Sequence, residues 1–142
     1  MSDRGEPRWQ PLSALPVASA HVREGVRLAA EHLQTLGQAR TRPYLLGDAD
    51  IARVIATFSQ TREDFVTLWA VQGQRWADLD LDEATRRQVE QFQTLVARGV
   101  GLVEEILTLA EQLRTGTIET VMAKSDLHLG LEALLGTRLP PP

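Results

Sequence analysis

Helical proteins often bind metals between their helices, so the three histidines, His21, His32 and His128, are the first residues to weigh. A di-iron bundle takes Glu-x-x-His from each of two helices, with further inward glutamates. None of the three histidines has a glutamate three residues before it. His21 and Glu24 carry the reverse order, about 60° apart around a helix, which is not the di-iron motif. His21 and His32 share a helix edge but are about 16 Å apart along the axis, too far for one ion. The H-E-x-x-H pattern is absent, and the histidines read as surface or boundary residues. No metal site and no cofactor is expected.

Nucleophilic chemistry has no better candidates. There is no cysteine, so thiolate catalysis, disulfides and cysteine-held clusters are excluded. No serine lies in a G-x-S-x-G turn. The acids cluster at Glu104–Glu105 and at Asp78, Asp80 and Asp82. The first pair falls on a polar helix arc. The other three lie at a turn and helix start, where carboxylates favour the positive end of the dipole. R-G-V-G-L-V at 98–103 has the glycines of a phosphate loop but lies inside a helical pattern and follows no strand. Arg40, Arg42 and Tyr44 form a small basic connection, read as solvated. The net charge of −4 gives no reason to expect nucleic acid.

One polar residue breaks an apolar stripe. Arg62 stands where helix periodicity calls for a hydrophobic side chain. Symmetric folding of the connections would place Gly25, Gln60 and Gly99 at one level, with Thr61 and Arg62 in the same layer and His21 one turn away. Two glycines and a cation could make a small anion-binding cavity lined by Arg62, Thr61, His21, Gly25 and Gly99. Alternatively, the glycines bring helices together while the Arg62 stem fills the gap and its head reaches water. No acid is expected beside Arg62.

The elements that position these residues are all helices. The longest segment, 80–115, carries one seam at Phe92, Leu95, Gly99, Leu102, Ile106, Leu109 and Leu113. A second seam runs through Val89, Val96, Val103 and Ala110. Two seams require two neighbours, so this helix belongs at the centre of a bundle. Before it, 14–36 shows a helical face from Leu15 to Leu36. Ser13 is the expected N-cap, Pro16 lies in the first turn, Leu12 and Val17 form a staple, and Gly37 is the stop. Residues 48–78 carry Ile51, Val54, Ile55, Phe58, Phe65, Trp69 and Trp76 on one face, with Asp48 as cap. A short turn near Leu79 makes this helix and the next an antiparallel hairpin, with Asp80 and Glu83 at capping-box spacing.

The fold class expected is therefore all-α: an antiparallel helical bundle of three long helices plus a short C-terminal helical element. The domain plan is an irregular segment at 1–12, one bundle at 13–136 and a flexible tail at 137–142. Trp9 is expected to fold back onto the bundle.

Function is read from surplus apolar surface. Leu95, Leu102 and Leu109 repeat every seven residues at a margin of the central helix. Leu127, Leu131 and Leu134 give the C-terminal element more leucine than one short helix buries. These six form the expected oligomer interface of a non-catalytic scaffold or interaction protein, a homodimer or small homo-oligomer with room for another protein partner. No secretory signal and no apolar run of about 18 residues is visible, so a cytoplasmic, membrane-free location is expected.

Overall fold

The computed structural model describes residues 8–42, 46–115, 117 and 122–123. Among them every regular element is helical. Helix α1 spans Leu15–Gln38, α2 Asp48–Asp64, α3 Ala70–Ala77 and α4 Glu83–Arg114. A π-helical turn, Phe65–Trp69, joins α2 to α3, with right-handed helical backbone at both joins, so the three pieces form one rod. The architecture is a bundle of three rods, with α4 packed against both α1 and the α2–α3 rod. No helix among the described residues is long and apolar enough to cross a membrane. The expected C-terminal element, with His128, Leu127, Leu131 and Leu134, lies outside the described residues, as does Tyr44.

The two seams of α4 explain its central place. Val89, Phe92, Val96, Gly99, Val103, Ile106, Leu109, Ala110 and Leu113 are all buried. They span about half the helix circumference, which one neighbour could not cover. From α1 they meet Leu15, Ala18, Val22, Val26, Ala29 and Leu36, and from the second rod Ile51, Phe58, Phe65 and Trp76, in a single core. Trp76 lies against Phe92, Phe65 against Gly99, and Arg62 reaches Glu104. Positions rise on one rod as they fall on the other, so the hairpin is antiparallel.

The helix ends differ from expectation. Ser13 does not cap α1. Residues Leu12–Ala14 form a 3-10 turn, closed by Ala14 N–H donating to Pro11 O at 2.9 Å, and α1 continues from it with Pro16 in its first turn. That turn already satisfies an end donor, so no side-chain cap is required. Val17 is 75% exposed, so the staple with Leu12 does not form. Gly37 lies inside α1, which tightens through a further 3-10 turn, Ala39–Thr41. At α2 the N-cap is Gly47, not Asp48. The Asp50 carboxylate accepts the Gly47 N–H at 3.0 Å, and Asp48 instead accepts the buried Thr117 hydroxyl at 2.5 Å. That bond fastens the start of α2 to the chain just beyond α4.

The cap of α4 is Asp82, not Asp80. Its carboxylate accepts the Thr85 N–H at 2.7 Å. Leu81 is the reason for the shift: it turns into the core, so the connection must run on past it before α4 can begin. The hydrogen bond from Thr85 holds the Asp82 carboxyl below its ordinary pKa. A carboxyl whose pKa is depressed on folding contributes stability above its unfolded pKa and loses it as pH falls through the folded one. Asp82→Ala is therefore expected to lower the melting temperature at neutral pH, and the gap from the parent chain should close in acid. A gap that stays constant from neutral pH down to pH about 2 would refute the charge-assisted cap.

Candidate functional site

The two glycines do share a layer, but its occupant is Phe65. A Cβ on Gly99 would stand 2.6 Å from Phe65 Cε1 and 2.7 Å from Cζ, and one on Gly25 would stand 3.5 Å from the same Cζ. The phenyl ring is thus seated between α1 and α4 where both lack side chains. Gln60 is not level with Gly99, as symmetric folding would have it. The chain between α3 and α4 is displaced toward Asp82, which slides α4 along its partner and brings Phe65 opposite Gly99.

Arg62 stands outside this layer. Its Nε and Nη2 donate to Glu104 Oε2 at 3.2 and 3.1 Å, with the two side chains 44% and 51% exposed. The acid not expected from the sequence is therefore there, supplied by α4, and the guanidinium is hydrated and paired. Both are consequences of the register shift. An exposed pair of this kind contributes little to stability, because water already screens it. Thr61 turns back along its own helix, its hydroxyl donating to Thr57 O at 3.0 Å. His21 is exposed and lies against Trp69, ring centroids 5.3 Å apart. The five residues expected to line an anion cavity are thus dispersed. Gly25 and Gly99 hold a phenyl ring, Arg62 is in an ion pair, and Thr61 and His21 face elsewhere.

The other chemical candidates also resolve into structural contacts. No group of three or more His or acidic residues among the described residues could hold a metal ion. His32 packs edge-on against Phe58 at 5.1 Å. Glu24 accepts from Arg27 at 2.6 Å, and that hydrogen bond holds its carboxyl below the ordinary range, while Arg27 also reaches Glu31 on the next turn.

Of the expected interface residues, Leu95 and Leu102 are half-buried and pack against the core from its edge. Leu109 is not part of an open margin, being 5% exposed. The heptad spacing places the three leucines on one side of α4, but the stripe drifts about 20° per heptad on a straight helix, which carries its far end under cover.

The best-built polar arrangement lies at the other end of the second rod. Residues 8–11, outside any helix, cross α3, with Pro11 in extended conformation. Gln10 N–H donates to Gln72 Oε1 at 2.7 Å, and Gln72 Nε2 donates back to Gln10 O at 3.3 Å. Trp76 Nε1 donates to the same carbonyl at 3.1 Å. Gln72 is 4% exposed, so its amide is a buried group held to this one task. The Arg75 guanidinium carbon lies 4.4 Å above the Trp9 ring, a cation–π contact. Trp9 does fold back, as expected. Gln72 was not anticipated, although it stands seven residues after Phe65, where the stripe calls for an apolar side chain. That misplaced amide was the available signal.

No family model, no curated protein and no solved structure matches this chain.

Proposed function

We propose that the protein is a non-catalytic helical interaction module that associates with a second copy of itself along the Leu95–Leu102 edge of α4. The supporting observation is that these two leucines, one heptad apart, pack on the core from its edge and are only partly buried. A self-complementary apolar strip of this kind suits a two-fold dimer. Two of the clustered carboxylates have structural partners: Asp82 caps α4 and Glu104 holds Arg62. That pairing also removes the motive for an anion site at Arg62. A cytoplasmic location is part of the same proposal.

Light scattering at micromolar concentration is expected to give the mass of a dimer, and a monomer mass would overturn the reading. Leu102→Glu should then split the dimer while leaving the helical signal intact, because a carboxylate at a partly buried edge position can reach water within one chain but not across an interface. Leu109→Glu should instead weaken the fold itself, since that position is buried. If Leu102→Glu leaves a dimer whole, the edge of α4 is the wrong surface.

A further inference from the structure

The contact between residues 8–11 and α3 is made largely through main-chain atoms of Gln10. Gln72 offers a carbonyl and an amide to the N–H and C=O of one residue, as a neighbouring β-strand would. Trp76 adds a second donor to that carbonyl. None of these three bonds uses the side chain of Gln10, which is exposed. What α3 reads is the main chain of Gln10, which leads into the extended Pro11, with an aromatic ring immediately before it under a guanidinium. The segment also underfills its surroundings. A groove of about 430 Å³ runs on one side past Arg75, Asp78 and the half-exposed Leu79, and another of about 220 Å³ runs past Leu68 and Trp69.

We propose that this face of α3 is a docking site for an extended peptide segment with an aromatic residue preceding the main-chain-bonded one, and that residues 8–11 occupy it as an intramolecular stand-in. Main-chain pairing gives such a site affinity for extended chain, and the ring position gives it selectivity. The site reads a feature that any extended segment has, so the tethered copy is in competition with free ones. A tether this short supplies an effective concentration on the order of millimolar, so a free peptide meets a site that is mostly closed. Its apparent affinity is reduced by the small open fraction, and anything that releases the tethered segment restores it. Release strands no donor or acceptor in the interior: the Gln72 amide and Trp76 N–H lie directly beneath the segment, and water takes its place. Pro11, at φ −69° and ψ 161°, keeps the segment extended and gives it a stiff junction with the following turn. The site does not depend on self-association, because none of its residues lies on the Leu95–Leu102 edge.

The test uses the full chain with Gln10→Pro, which deletes the N–H that Gln72 accepts and leaves α3 unaltered. The probe is a fluorescein-labelled peptide of residues 8–12, followed by anisotropy. The Gln10→Pro chain is expected to bind it about ten-fold more tightly than the parent chain does, in line with a larger open fraction. Adding Gln72→Ala should abolish the gain, and a probe carrying proline at the central glutamine should not bind. Trp9→Ser serves as a second releasing variant, with unchanged helical circular dichroism as the folding check for both. Equal binding by parent and releasing variants, binding that survives Gln72→Ala, or no binding to either releasing variant would each overturn the proposal.

Discussion

Gly99→Leu is expected to destabilise the fold by about 3 kcal/mol, at the upper end of the usual overpacking range. Even the first carbon of a new side chain would lie 2.6 Å from the Phe65 ring. No real Cβ is found so close, so the ring would have to move. It is buried, and on its Gly25 side there is room for about one carbon, a Cβ there standing 3.5 Å from the ring, so it has little space to retreat into. The remaining carbons of leucine would need still more room between α2 and α4. Chemical denaturation measures the effect, and an unchanged midpoint would mean that Phe65 is not held between the two glycines. Alanine substitutions separate packing from helix propensity. Gly25→Ala adds a carbon at 3.5 Å from the ring and gains up to about 1 kcal/mol of helix propensity, so it should be neutral or stabilising. Gly99→Ala gains the same propensity but meets the clash, so it should be worse than Gly25→Ala. Combining Gly99→Ala with Phe65→Leu should recover part of the loss, because the two positions touch and their effects cannot be additive.

That layer also shows what the sequence could and could not specify. Periodicity within a helix is set by local geometry, so the buried positions of α4, from Val89 to Leu113, follow directly from spacing. The all-helical class, the central place of α4 and the antiparallel hairpin follow from the same kind of information. The meeting of Gly25 and Gly99 in one layer was legible as well. Its occupant was not, because relative sliding of two helices depends on the connection between them. Tucking Leu81 inward moved the start of α4 to Asp82, and a displacement of this size is enough to exchange Gln60 for Phe65 opposite Gly99. It also carried Glu104 within reach of Arg62. The π-turn at Phe65–Trp69 was equally hidden, since one widened turn carries no residue signature of its own. The contact of Gln10 with Gln72 spans 62 residues and uses main-chain atoms, which carry no residue signature.

Phe92→Ala is expected to have the larger effect of the two substitutions, about 3–5 kcal/mol, the range for removing a fully buried phenyl ring. Phe92 has no exposed surface and is the hub of an aromatic cluster. Trp76 meets it edge-on at 5.3 Å between centroids, and Trp69 does so at 6.3 Å. Both are tilted arrangements in which a positive ring edge approaches a negative ring face, and each adds to the area buried. Gly73 lets α3 and α4 close around the ring, for a Cβ there would lie 3.0 Å from Gln93 and 3.3 Å from Phe92 itself. Relaxation cannot refill the space left by alanine, because Trp76 is held from the far side by its hydrogen bond to Gln10. The cavity should therefore persist, which places the cost toward the top of the range. Phe92→Leu keeps most of the volume and should cost roughly half as much or less. Equilibrium denaturation checks both, and a loss below about 1 kcal/mol for Phe92→Ala would show that the cluster collapses freely and that the Trp76–Gln10 bond does not brace it. Gln10→Pro removes the N–H bond to Gln72 and so loosens the segment whose carbonyl accepts from Trp76; made in the Phe92→Ala background it should cost less than in the parent chain, because a tryptophan already loosened from its partner ring loses little more when that segment is freed.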